Sequence, residues 1–322
     1  MHRLAIGAVT LLLLAACGGG SGGGTNPFPT PTPGGPLLYV ADSGNNSIFE
    51  FAKTATGVAL PRTTIAGAAT LLTNPSPIAV DPSGNIWVSN NSSTPELLEF
   101  APGSVGNSAP VAIMFVSGQA VPGALSVTGM VFNSSGKLYV ATGATNHVMV
   151  FTSASSGTPA AAQDISGPNT QLNDAQGIAL DSSGNIYTSS LGSNAILEFA
   201  PGATGNVAPV RVIKGVFNTQ LSSPSYVAVD AAGDVFALNS TGAIITEYAP
   251  GASGDAAPIA TLSRAGMGGQ MVFDGAGNLC VGALNPNPGG VLVYAPPITS
   301  ASGPLQTLQS PVFSKPTGVF AR

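Results

Sequence analysis

Charge is what this sequence has least of. Only 7% of its 322 residues are Asp, Glu, Lys or Arg, against about 25% in an ordinary soluble domain. Exposed helices are built largely from Lys, Arg and Glu, so the deficit argues against a helical protein. Nine basic residues face fourteen acidic ones, for a net charge of −5, and no basic stripe runs through the chain. Nucleic acid is therefore excluded as a partner class. Of the two histidines, His2 and His147, the first lies in the leader, so a zinc centre of several histidines cannot be assembled. The two cysteines, Cys17 and Cys280, could pair arithmetically, but Cys17 has a better explanation. A Gly-x-Ser-x-Gly elbow, a phosphate-binding Walker loop and a Cys-x-x-Cys pair are all missing. What abounds is glycine (42), proline (27) and apolar residues (44%). Frequent turns between β-branched runs describe an extracytoplasmic all-β protein.

Residues 1–16 read as an export leader. Met1-His2-Arg3 precedes an apolar run over residues 4–16, which is too short to remain as a membrane-spanning helix. The run ends in Leu14-Ala15-Ala16-Cys17, which resembles the lipobox of bacterial lipoproteins. That resemblance implies cleavage before Cys17 and a diacylglyceryl group on its thiol. Residues 17–36 then form a tether, flexible over Gly18 to Gly24 and stiffer through the Pro-Thr alternation of Pro27 to Pro33. No aspartate follows the cysteine, so by the same resemblance the outer membrane is the expected anchor in a Gram-negative cell.

Residues 37–322 repeat themselves, and the repeat decides the architecture. One unit runs Gly177-Ile178-Ala179-Leu180-Asp181, turns through Ser182-Ser183-Gly184-Asn185, and resumes at Ile186-Tyr187-Thr188. A polar loop follows, then Ile196-Leu197-Glu198-Phe199, Ala200-Pro201-Gly202 and Val210-Arg211-Val212-Ile213. The same order begins at Ile78, Met130, Val227 and Met271, with turn anchors Asp81, Asn133, Asp181, Asp230 and Asp274 at spacings of 52, 48, 49 and 44 residues. Four apolar segments of strand length per unit predict one propeller blade each, and Asp-x-x-Gly-Asn predicts the hairpin between its first two strands.

The chain ends complete the count. Leu37-Leu38-Tyr39-Val40 matches a second strand and Ser47-Ile48-Phe49-Glu50-Phe51 a third, so the first blade lacks an inner strand. Thr317-Gly318-Val319-Phe320-Ala321 matches an inner strand, after which the chain stops. The expected fold is an all-β, six-bladed β-propeller with four antiparallel strands per blade, its ring closed by the C-terminal strand. Closure removes strand edges that would otherwise invite aggregation.

These units resemble the NHL-repeat family of six-bladed propellers over essentially all of residues 37–322. The family triplet Asn-His-Leu is approximated by Asn146-His147-Val148, while Asn46-Ser47-Ile48 and Asn194-Ala195-Ile196 keep the frame without the histidine. The gluconolactonase-like propellers are the alternative relative. The resemblance implies a platform for a protein, glycan or small ligand, and a propeller lyase or lactonase as the competing activity.

Individual residues point the same way. His147 takes a repeat position and is expected to be structural. Glu50, Glu99, Glu198 and Glu247 recur at one place in four blades, so they should not converge on a substrate. Asp81, Asp181, Asp230 and Asp274 belong to turns, Cys280 to an apolar run, and Trp87 to a slot held elsewhere by Tyr39, Tyr139 and Tyr187. The expectation is a monomeric, non-catalytic binding or scaffold module without metal or cofactor, tethered by Cys17. The loops on the side opposite the hairpin turns vary in length, and loops on a rigid scaffold carry function. Asn90, Asn91, Asn146, Asn194, Asn239, Asn285 and Asn287 are the candidate binding residues there.

Overall fold

The computed structural model describes residues 35–117, 125–284, 289–299 and 301–322. The leader, Cys17, Asn285 and Asn287 lie outside these residues. Six antiparallel sheets make six blades, and their inner strands contact one another in a closed ring. Blade 1 is ordered Pro316–Ala321, Leu37–Asp42, Ser47–Ala52, Thr63–Ile65 from the axis outward. Its inner strand is the C-terminal one, paired antiparallel through Leu38↔Ala321 and Val40↔Val319. Blades 2 to 5 have inner strands Pro75–Val80, Val127–Phe132, Ala175–Leu180 and Pro224–Val229, each followed in sequence by its three partners. In blade 6, whose inner strand is Met267–Phe273, a fifth segment, Gly57–Val58, pairs parallel with the outer strand Gln306–Gln309.

The hairpins joining inner and second strands define one side of the disc, the turn side. In each of the five continuous blades the anchor residue's N–H donates to the carbonyl four residues on, as from Asp81 to Asn85 at 3.0 Å. The Asp81 carboxylate also accepts from the Asn85 backbone N–H at 2.9 Å and from its side-chain amide at 2.8 Å. Gly84, Gly136, Gly184, Gly233 and Gly277 in these turns have φ of 79–93°, a region closed to most side chains.

The core is divided rather than central. Buried apolar residues form six clusters, each wedged between two neighbouring blades. Trp87 and Cys280, both 1% exposed, belong to two of these wedges, as expected of packing residues. Burial pushes the Cys280 thiol up to about 12, which leaves it inert as a nucleophile.

The seams are also stapled by polar groups. The repeated Ala-Pro-Gly links lead into Gly-Asn or Gly-Asp, where the glycine bridges the outer strand of the preceding blade: Gly106 to Ile65, Gly205 to Ile165, Gly254 to Ile213. The next residue then binds that blade's exit link. Asn107 Oδ1 accepts from Ala69 N–H at 2.7 Å, Asn206 Oδ1 from Asn169 at 2.7 Å, and Asp255 Oδ1 from Asn218 at 3.0 Å. Ring closure has its own lock. The fully buried carboxylate of Asp42 accepts four backbone N–H groups, from Gly44 and Asn45 beside it and from Ser314 (2.7 Å) and Lys315 (2.9 Å) at the far end of the chain.

Candidate functional site: the axial channel

The six inner strands wall an axial channel whose two halves differ. Each inner strand is the edge of its sheet, so it presents unpaired backbone N–H and C=O groups toward the axis. On the loop side, opposite the hairpins, side chains bridge the inner strands. Thr128 Oγ1 donates to the carbonyl of Ala175 at 2.7 Å, and Thr317 Oγ1 to that of Pro75 at 3.2 Å. Burial pushes the phenol of Tyr226 above its ordinary value, partly offset by the hydroxyl of Ser76 from the blade directly opposite.

Midway along the axis stands Gln270. Between its Met267↔Ala283 and Met271↔Val281 pairs, blade 6 carries three inner-strand residues against one on the neighbouring strand. Blade 3 carries two between Val127↔Thr142 and Met130↔Val140. The additional residue throws a side chain across the channel. Gln270 Oε1 accepts from Ile78 N–H at 3.1 Å and Val319 N–H at 3.2 Å, while Nε2 donates to the Ile78 carbonyl at 3.0 Å. One neutral amide thus ties blade 6 to blades 1 and 2 at their free edges.

On the turn side the channel opens into a recess of about 180 Å³. Its wall includes one equivalent residue from every inner strand: Ala79, Val131, Ala179, Ala228, Val272 and Phe320. A shallower groove beside it is edged by Asp81, Asn133 and Arg322.

The five described asparagines among those expected to bind are distributed around the loop side of blades 2 to 5 and do not converge. Asn90 and Asn239 end their second strands and are buried. Asn90 Oδ1 accepts from Thr73 N–H at 2.5 Å and Asn239 Oδ1 from Ser222 N–H at 2.8 Å, the same service that Asp42 performs at ring closure. Asn146 and Asn194 precede their third strands with φ of 60° and 54°. Their side chains accept from the link that leads out of their own blade into the next, at Asp174 N–H (2.5 Å) and Ser223 N–H (2.8 Å). Asn91 donates to the carbonyl of Asn74 at 3.1 Å and accepts from Ser126 Oγ at 2.9 Å. All five amides therefore hold backbone between or within blades.

The recurrent carboxylates are as dispersed as their spacing implied, and their partners differ. Glu198 faces Arg211 across the outer strand pair and holds it with two bonds of 2.6 and 2.7 Å. Burial and that glutamate push the neighbouring Tyr187 phenol up to about 12. Glu50 lies 3.9 Å from Arg62. Glu99 and Glu247 face Ala112 and Ala260 instead. Burial raises Glu99, helped by the charge of Asp81, and raises Glu247 to about 7, helped by Asp234 and Asp230. His147 is buried, with Nδ1 2.7 Å from Asp164 Oδ1 on the outer strand of its own blade. Among the described residues, no three His, Cys, Asp or Glu side chains gather as a metal site.

Sequence reasoning missed the Asp42 lock, the Gln270 plug and the Asn107, Asn206 and Asp255 staples. Only the staples had a signal, the Gly-Asn or Gly-Asp that recurs after each Ala-Pro-Gly.

The fold and its channel define a six-bladed β-propeller. No family model and no curated protein matches the sequence. Solved structures match the fold at low identity. A protein of unknown function from Bacteroides caccae has a TM-score of 0.58 at 13% identity, covering 89% of this chain and 98% of that one. A candidate 6-phosphogluconolactonase from Bacteroides uniformis has a TM-score of 0.55 at 14% identity, covering 88% and 83%. A streptogramin B lyase has a TM-score of 0.50 at 12% identity, covering 86% and 82%. At these identities the likeness is one of architecture.

Proposed function

We propose that this protein is a non-catalytic binding propeller of NHL type, monomeric, exported, and held at a bacterial membrane by a lipid on Cys17. One observation carries the non-catalytic reading. None of the six inner strands contains an Asp, Glu, His, Lys, Arg or Cys, and Tyr226 is their single titratable side chain. An enzyme site needs an acid, a base, a nucleophile or metal ligands converging on one cavity. Here the recurrent carboxylates and His147 lie in turns, seams and outer strands rather than on the inner strands. The tether reading is supported by Leu14-Ala15-Ala16-Cys17 and the Gly- and Pro-rich stretch behind it. The loop side is the candidate surface for a protein or glycan, because Val216 and Phe217 stand 86% and 87% exposed there.

The competing reading, a lactonase or lyase, rests on the names of two fold neighbours. Incubating the purified chain with 6-phosphogluconolactone and with a streptogramin B decides between them. The expected result is ring opening at the uncatalysed rate. Turnover above that rate, lost on Tyr226→Phe or Gln270→Ala, would overturn the non-catalytic reading.

A further inference from the structure

Cross-strand partners share one face of a sheet, so strand register shows what surrounds each recurrent glutamate. In blade 4 that face carries Tyr187, Glu198 and Arg211, with Asn185 at the foot of the hairpin. Both acids there have donors. Arg211 holds Glu198 with two bonds, Asn185 Nδ2 donates to Asp181 Oδ2 at 2.7 Å, and the Tyr187 hydroxyl reaches the same oxygen at 3.4 Å. Blade 5 keeps both acids, as Asp230 and Glu247, and replaces all three donors. Phe236 stands for Tyr187, Ala260 for Arg211 and Asp234 for Asn185. The last exchange also adds a carboxylate, where blades 2 and 6 have Asn85 and Asn278 and blade 3 has Lys137. Glu247 is 6% exposed, and its Oε2 has no hydrogen-bond partner. Burying an ionised carboxylate without a donor is costly, and a second one beside it adds repulsion. Burial and the charges of Asp234 and Asp230 raise Glu247, and burial and Asp230 raise Asp234 in turn. No cation among the described residues opposes either shift. Blade 6 packs on this face through Phe273 and Tyr294. Burial raises the Tyr294 phenol, with Arg264 acting against it, and Asp274 of the same blade is already bound to Lys53 at 2.9 Å.

We propose that Glu247 and Asp234 form a proton-sharing pair that latches the hairpin of blade 5 to its third strand. While the proton is held, the Glu247 carboxyl O–H donates to the Asp234 carboxylate, in place of the amide and guanidinium of blade 4. When the proton leaves to solvent, two like charges face each other and the turn from Asp230 to Asp234 loosens. A group raised by folding holds its proton below its native midpoint, so the latch is closed in acid and opens as pH rises through about 7.

Carboxyl carbon NMR shifts of the full chain, followed from about pH 4 to 9, test the pair. Glu247 and Asp234 should move together in a shared step near neutrality, because coupled groups titrate as a unit. The Gly233 amide, which donates to the Asp230 carbonyl at 3.2 Å, should exchange with solvent faster above that step. Asp234→Asn restores the asparagine of blade 4 and should weaken proton binding by Glu247 about tenfold or more, a pH unit in midpoint. Ala260→Arg restores the missing guanidinium and should lower the midpoint by a separate route. Both variants should also remove the change in Gly233 exchange. Three outcomes overturn the proposal: Glu247 titrating in the ordinary carboxylate range, a midpoint unmoved by Asp234→Asn, or Gly233 exchange that ignores the step. An unmoved midpoint would leave burial alone as the cause. Should Ala260→Arg fail to fold, Asp234→Asn decides by itself.

Discussion

At the residue scale, one repeated glutamate has opposite consequences in different blades, and the residue across the strand pair decides which. Glu198 meets Arg211 in two short bonds, so Glu198→Gln should destabilise the domain. Glu247 meets Ala260, is buried, and has one carboxylate oxygen without a partner. Burial, aided by the charges of Asp234 and Asp230, raises it above the ordinary carboxylate range, to about 7. A carboxyl raised by folding binds its proton more tightly in the native state, so stability is lost as pH climbs from 4.5 through 7. Glu247→Gln should therefore match the parent near pH 4.5 and exceed it at pH 8, flattening the pH dependence of the melting temperature. A variant that is less stable than the parent at pH 8 would refute the assignment.

At the scale of the element, the C-terminal strand is the least local part of the fold. Pro316–Ala321 supplies the inner strand of a blade whose other three strands lie at the opposite end of the chain. Val319 is fully buried in the wedge between blades 6 and 1, and its N–H is bound by Gln270. Burial is worth about 25 cal/mol per Å² of apolar area, against a typical whole-domain stability of about 5–15 kcal/mol. Deleting residues 315–322 also strips Asp42 of its Lys315 donor and leaves its other far-end donor, Ser314, on a free chain end, so a buried charge is less well satisfied. The truncated chain should lose most of its stability. Asp42→Ala, which keeps the strand, should cost less, about 3–5 kcal/mol for several charge-assisted hydrogen bonds. Thermal melts of both variants check the order; a truncated chain melting within a degree or two of the parent would refute the closure.

At the scale of the molecule, the tether and the channel share a side. The Pro36 carbonyl accepts from Lys53 N–H, and Leu37 accepts from Arg322 N–H, so the chain enters the propeller on the turn side, beside the recess. No helix among the described residues is long and apolar enough to cross a membrane. On the proposed lipidation of Cys17, Cys17→Ala should move the protein from the membrane fraction to the soluble one, with the mass of the diacylglyceryl group missing. Unchanged partitioning and mass would refute lipidation.

Blade number, strand order, hairpin turns and ring closure were all legible in the sequence. Each rests on a local pattern that recurs at fixed spacing, and repetition tells a turn anchor such as Asp181 from an isolated acid. The packing roles of Trp87 and Cys280 were legible for the same reason. Decisions between blades were not. That Asn90, Asn146, Asn194 and Asn239 hold the links between blades depends on where those links pass, which no single repeat encodes. That Gln270 ties three blades together across the channel depends on a single additional inner-strand residue in blade 6. A repeat specifies its own sheet through nearest-neighbour hydrogen bonds and alternation of side chains. The axis belongs to no repeat, so only closing the ring decides what meets there.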